Sequence, residues 1–304
     1  MIISSVLFSF LGCGGDQLID TGGVVAPEYQ FTLAAIADPH IVGSSEHDQR
    51  LEAVVAWLNT EAEPQNIELV VVLGDIGWGE GLERSKEMLD LLEITWLPVI
   101  GDNESHAGDE AGFDEVFGPQ YEALSNNPEL SGWVQASTPV WDPELESDRY
   151  LQNTRFDYKG LRIIGLDWAS RDPGRVEGEM GNLHDYEGGT WEFLVESVAD
   201  VSELMDSSVI LATHIPMMMS PGAFDADEMA QLASLFSPNR DKIAMNLGGH
   251  FHVNGEQYAL AEGAYDMFLT NAIWDDEATV RLIDVYMDKS GFVFHHRVIE
   301  IDWE

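Results

Sequence analysis

Cysteine is almost missing from this chain: Cys13 is the only one in 304 residues. That excludes a disulfide framework and any metal site built from cysteines. Positive charge is scarce too. Fourteen Lys and Arg stand against 55 Asp and Glu, a formal net charge of −41. Nucleic-acid affinity rests on cations that neutralise phosphates. A nucleic acid duplex is therefore not expected as a partner, and an anionic membrane surface is a poor one. The bland reading of the charge is solubility, or adaptation to a salty medium. No stretch after the N-terminus is apolar enough to span a bilayer. Internal repeats and low-complexity segments are lacking. Hydrophobic residues, at 45%, are plentiful, which supports a substantial core and argues against disorder.

The N-terminus is different in kind. Met1 to Leu11 is short and apolar with no charged side chain, and Leu11-Gly12-Cys13-Gly14 follows. This resembles a bacterial lipoprotein signal, in which the cysteine becomes the lipidated first residue. Phe10 and Leu11 are bulkier than the usual residues before that cysteine, and no Lys or Arg precedes the apolar run. An ordinary signal peptide or a frayed N-terminus is the other reading. The expected organisation is a signal peptide over 1–13, a flexible tether over 14–29 and one domain over 30–304. Export is expected, to the periplasm or to the outer membrane as an anchored lipoprotein. Membrane contact is expected only through a lipid on Cys13.

Beyond the tether, short apolar runs alternate with helical patterns. Phe31 to Ala37 reads as a strand. Asp48 to Thr60 reads as a helix with Leu51, Val54, Val55 and Leu58 on one face. Glu68 to Leu73 is a continuous apolar run, as expected for a strand buried on both sides. A helix over Leu82 to Leu92 and a strand over Trp96 to Ile100 follow. This alternation argues for βαβ units and a largely parallel sheet. Gly118 to Arg149, with four prolines, Trp133 and Trp141, breaks the rhythm and reads as a long loop: a lid or substrate wall, or a surface excursion with two buried tryptophans. Phe156 to Trp168 reads as two strands around Lys159-Gly160. A second polar loop, 169–189, carries Arg171, Arg175 and His184; a substrate anion could use these scarce positive charges, and pairing with local acids is the preferred expectation. Helices over Trp191 to Met205 and Asp225 to Phe236 flank a strand over Ser208 to Ala212. Lys242 to Leu247 is a strand, and strands dominate from there to the end. Two sheets packed face to face with helices outside would satisfy this order.

Chemistry-bearing residues gather where the strands end. Asp38 and His40 follow the first strand, and residues i and i+2 of extended chain point to one side. Gly74-Asp75 follows the second strand and Gly101-Asp102-Asn103-Glu104 the third. Thr213-His214 and Gly248-Gly249-His250-Phe251-His252 follow two later strands. Strands of one sheet bring their ends to a common edge, where open α/β folds place ligands. Asp38, His40, Asp75, Asn103, His214, His250 and His252 form a set of carboxylates, one amide and imidazoles. That ligation suits Mn, Fe or Zn better than Ca or Mg. It is too many donors for one catalytic ion, and it suits two ions about 3.5–4 Å apart. His47, His106, His184, His295 and His296 lie outside the pattern.

At these residues the chain resembles the calcineurin-like metallophosphoesterases. Their blocks are Asp-x-His, Gly-Asp, Gly-Asn-His-Asp/Glu, a lone His and Gly-His-x-His, in that order. The resemblance implies an α/β fold: a four-layer αββα sandwich of two mixed β-sheets flanked by helices. It also implies a dinuclear site at one edge. Asp38, His40 and His252 would hold the first metal, Asp75 would bridge, and Asn103, His214 and His250 would hold the second. A metal-activated water would then attack a phosphate mono- or diester, so the implied partner is a small phosphorylated substrate.

The third block departs from the family. An ungapped match puts Asp102 on the family's Asn and Asn103 on its catalytic His. A one-residue bulge would keep Asn103 as the ligand and put Glu104 on the His; that choice keeps the donor type and is preferred. Either way the usual imidazole is missing, and nearby His106 is the candidate general acid. After Gly74-Asp75 the chain has Ile76-Gly77-Trp78-Gly79, where Trp78 would form an apolar wall beside the metals. A metal-retaining binding protein of the same fold, weak in catalysis, is the competing expectation.

Overall fold

The computed structural model describes residues 26–106, 110–136, 138–143, 146–171, 180–257, 265–275 and 277–303. Its first sheet has the order β14-β13-β1-β2-β3, where β1 is Glu28–Ile36, β2 Ile67–Leu73, β3 Thr95–Val99, β13 Thr279–Met287 and β14 Phe292–Glu300. β1, β2 and β3 are parallel, while β13 runs antiparallel to both β1 and β14. The second sheet has the order β11-β12-β10-β9-β8-β7-β4. Its strands are β4 Leu130–Gln135, β7 Thr154–Tyr158, β8 Leu161–Leu166, β9 Val209–Thr213, β10 Ile243–Gly248, β11 Gly255–Gln257 and β12 Asp266–Leu269. Here β8, β9, β10 and β12 are parallel. A small hairpin of β5 Val140–Asp142 and β6 Ser147–Arg149 stands apart.

The sheets lie face to face across one continuous core. Leu33, Val71 and Leu97 from the first sheet share it with Phe156, Ile163, Ile210 and Leu247 from the second. Phe31 and Tyr158 meet edge to face at 5.1 Å across it. On the outer side of the first sheet pack α1 (Ser45–Gln65), α2 (Gly81–Leu89) and α4 (Glu110–Ser125). α5 (Thr190–Ala199) and α6 (Ala226–Phe236) share a separate core with the outer face of the second sheet, built on Ile164, Leu194, Leu211, Leu232 and Phe236. This is the expected mixed two-sheet sandwich with flanking helices. Asp225 caps α6, accepting hydrogen bonds from the backbone N–H of Asp227 and Glu228. No helix among the described residues is long and apolar enough to cross a membrane.

Three expectations change. β1 begins at Glu28, so the last two residues of the expected tether, Glu28 and Tyr29, pair with Met287 and Tyr286. The expected loop from Gly118 to Arg149 begins inside α4, which runs through Pro119 to Ser125. An internal proline costs a helix about 3 kcal/mol. Burial of Phe113, Phe117, Tyr121 and Leu124 at helical spacing offsets it, and Tyr121 and Gln120 anchor the helix to the Pro98 and Trp96 carbonyls. The rest of that segment supplies β4, the edge strand beyond β7, and the small hairpin. Of its two tryptophans, Trp133 stacks on Phe156 at 5.8 Å, whereas Trp141 is 57% exposed. Cys13 and Arg175 lie outside the described residues.

Candidate metal centre

The parallel strands of both sheets point their C-terminal ends at one edge, and the chain turns sharply there. Asp38, His40, Asp75, His250 and His252 all have positive φ, between 49° and 70°. The expected extended i, i+2 geometry is therefore replaced by left-handed turns. Such backbone is costly for non-glycine residues and persists only where the surroundings hold it. Here β1 and β2 keep exchanging hydrogen bonds past their ends: Asp38 N–H donates to the Gly74 carbonyl and His40 N–H to that of Asp75. The His250 N–H donates to the Asp38 carboxylate across the two sheets.

Two glycines make this approach feasible. A Cβ on Gly101 would fall 2.1 Å from Asp75 Oδ1, and one on Gly249 2.5 Å from Asp38 Oδ2. Only residues without a side chain fit there.

The convergence yields two abutting pockets. Asp38, His40 and His252 form the first. His252 Nε2 is 3.4 Å and His40 Nε2 3.7 Å from Asp38 Oδ1. Asp102, His214 and His250 form the second. Asp102 Oδ1 is 2.7 Å from His214 Nε2 and 3.0 Å from His250 Nδ1. Asp75 stands between them: Oδ2 is 3.1 Å from His40 Nε2 and Oδ1 3.4 Å from His214 Nε2. Donors about 2.0–2.2 Å from a shared ion lie roughly 3 Å apart at ordinary coordination angles. The spacing and the chemistry of this donor set therefore fit metal ions.

Two imidazoles are locked by carbonyls. His214 Nδ1 lies 2.8 Å from the Leu73 carbonyl and His250 Nε2 2.7 Å from that of Gly222. A carbonyl only accepts, so those nitrogens carry the protons. The opposite nitrogens face Asp102 and would turn their lone pairs to a metal ion bound there, which is how metal-bound histidines are usually oriented. Burial works against ionisation of Asp102, but the His214 and His250 imidazoles outweigh it and hold its carboxyl well below the usual range. Burial likewise disfavours charge on His214, yet Asp75, Asp38 and Asp102 raise its pKa well above the usual value.

In the third block the two candidate residues take different places. Asp102, rather than Asn103, joins His214 and His250. Consecutive residues of a helix point about 100° apart, and both begin the short α3, Asp102–His106. Asn103 therefore turns to Asp75, where its side-chain amide donates to Oδ2 and its backbone N–H to Oδ1 at 3.0 Å. Glu104 does not face the site as a substitute acid. It is fully buried and accepts from the Gly77 and Gly101 N–H groups at 2.9 and 2.7 Å. Burial, helped by Asp75, lifts its carboxyl to about 8. The His106 side chain lies outside the described ones.

Sequence reasoning missed two neighbours. Trp274 stacks on His40 at 5.3 Å and meets His252 edge-on at 5.4 Å. His47 Nδ1 lies 2.6 Å from the His40 carbonyl. Their only sequence signal is an aromatic or imidazole near a strand exit, which is common by chance. Trp78 meets His40 edge-on at 5.2 Å, so the expected wall has two faces. Elsewhere, Arg171 pairs with Asp167 and Glu110, and His184 with Glu228, as local acids predicted.

A model of the family described as calcineurin-like phosphoesterase matches residues 31–254. A comparison with curated proteins finds no match. A putative 5′-nucleotidase from Staphylococcus aureus superposes with a TM-score of 0.53 at 10% identity, covering 89% of this chain and 54% of that one. The chain thus spans about half the length of that nucleotidase. GAP50, the anchor in the inner membrane complex of Plasmodium, gives a TM-score of 0.49 at 12% identity over 90% of both chains. A Vps29 variant from Entamoeba histolytica gives 0.34 at 10% identity, covering 90% of this chain and all of that one. At these identities the likeness concerns the fold.

Proposed function

The chain belongs to the calcineurin-like phosphoesterase family, and from that premise we propose that it is an exported, metal-dependent hydrolase of a phosphate mono- or diester. The observation that carries the reading is the pair of abutting donor sets that share Asp75. Asp38, His40 and His252 would hold one ion, and Asp102, His214 and His250 the other, with Asp75 between them. Mn, Fe or Zn at these positions would make water nucleophilic near neutral pH and offset charge on the phosphoryl oxygens.

The protein's own part is preorganisation. Backbone carbonyls of Leu73 and Gly222 fix the His214 and His250 rings before any ligand arrives. Asn103 steadies the Asp75 carboxylate from outside. Trp78 and Trp274 pack on His40 and shield one flank from water. Export rests on the N-terminal sequence. A Cys13→Ser chain that no longer partitions with bacterial membranes would support the lipid anchor, and a wild type that never does so would overturn it.

The test is turnover of an aryl phosphate monoester and diester by protein loaded with Mn, Fe or Zn. Hydrolysis that disappears in Asp75→Asn supports the reading. Absence of turnover with every metal overturns it in favour of the weak, metal-retaining binding protein. One observation favours that second reading: Asn103 occupies the place where the family carries an imidazole, and it faces Asp75.

A further inference from the structure

The charge around the two pockets is unbalanced in a way that bears on substrate. Asp38, Asp75 and Asp102 bring three carboxylates to the centre, and the other donors are imidazoles. Two divalent ions would leave the centre with one net positive charge. Among the described residues, no lysine or arginine is bonded to it. Apart from Arg175, which lies outside the described residues, every Lys and Arg is described, and none makes a hydrogen bond or ion pair to these residues. Arg50 lies behind Trp274. It gives Nη1 to the Trp274 carbonyl and Nη2 to Glu46, both at 2.7 Å, and its guanidinium covers Trp303. Arg84, Arg149 and Arg171 are bound to acids elsewhere. The whole chain adds the field of a net charge of −41.

We propose that this site selects singly charged phosphodiesters over doubly charged phosphomonoesters, and that Asp102 is the residue that sets the preference. The proposal rests on the phosphoesterase reading and narrows its substrate class. A diester carries one negative charge near neutral pH, which one net positive charge balances. A monoester carries close to two, and the second meets the buried Asp102 carboxylate, with no arginine or lysine among the described residues bonded there to offset it. The diester's second organic group has somewhere to go: Trp78 and Trp274 flank His40 on the first pocket. The bond broken is phosphorus to the leaving-group oxygen. Water supplies the new oxygen on phosphorus and the proton that leaves with the alcohol.

The experiment uses the metal-loaded full chain and Asp102→Asn, with bound metal counted first. At pH 8, aryl phosphate diester and monoester are compared by kcat/KM. Binding of inorganic phosphate, without turnover, is followed by calorimetry. The wild type is expected to favour the diester by about tenfold or more, from one unit charge a few ångströms away. That preference should shrink as pH falls through about 6, where the monoester gains its proton. In a variant that keeps two ions, phosphate should bind about tenfold tighter. If the variant loses an ion, the wild-type selectivity and its pH course decide. A wild type that prefers the monoester at pH 8 overturns the proposal, as does unchanged phosphate affinity in a two-ion variant. Monoester turnover that vanishes in Arg175→Gln also overturns it. A wild type without bound metal overturns the phosphoesterase reading itself, which the metal count tells apart.

Discussion

Asp102 and His214, 112 residues apart in sequence, meet at 2.7 Å between Oδ1 and Nε2. The contact joins the first sheet's third strand exit to an exit of the second sheet, and it defines the second pocket. Asp102→Ala should therefore lower the metal content from two ions per chain to one, whereas Asn103→Ala should keep two. Elemental analysis of the two variants checks this. The reverse pattern would return the ligand role to Asn103.

The glycines beside the pockets make a second prediction. An added Cβ at Gly249 would fall 2.5 Å from Asp38 Oδ2, so Gly249→Ala must displace the carboxylate at the heart of the first pocket. Changes next to metal ligands typically cost about 10–100-fold in affinity. Titration against a chelating indicator should show a loss of that size, with the fold retained by circular dichroism. Wild-type affinity would contradict the described packing.

Metal-free protein should lose stability as pH rises toward 9. Burial pushes the His40 pKa down, but the Asp38 and Asp75 carboxylates outweigh it and lift it from 6.5 to about 9. A raised folded pKa stabilises fully below the unfolded value and loses that contribution as pH rises through the folded one. The contribution is on the order of 3 kcal/mol, at 1.36 kcal/mol per unit. It should fade between about pH 6.5 and 9, and His40→Gln should remove that slope. Urea midpoints across this range measure it, and identical slopes in both proteins would refute the coupling.

Away from the pockets, Arg171 is the stability test. It grips Asp167 through two bonds of 2.5 and 2.9 Å and reaches Glu110 at 3.2 Å, all of them buried. Removing one partner strands buried charge, so Arg171→Met should cost about 3–5 kcal/mol of unfolding free energy. Arg84, 42% exposed in its pairs with Asp48 and Glu52, should cost about 1 kcal/mol or less when changed to Ala. Similar losses for the two in urea unfolding would show that burial does not decide the difference.

Much of this was legible because the fold announces itself at strand ends. Apolar runs ending in Asp38, Asp75, His214 and His250 give the parallel exits, and parallel exits give the edge. What stayed hidden depended on rotation or on distant packing. Whether Asp102 or Asn103 faces His214 is one 100° step around α3, which composition and spacing do not encode. α4 was obscured by Pro119, whose local cost is overridden by the aromatic face of Phe113, Phe117 and Tyr121. Trp274 reaches His40 across more than two hundred residues, with no local pattern to mark it. The positive φ at Asp38 and His40 likewise goes with hydrogen bonds to the neighbouring strand exit at Gly74 and Asp75, which no dipeptide reveals.

The most direct test of the account is the number of metal ions that the purified chain binds. Equilibration with Mn or Zn, removal of excess and elemental analysis give it in one step. Two ions per chain are expected in the wild type and one in Asp102→Ala. A wild type that retains no metal would contradict the reading built on Asp38, Asp75 and Asp102.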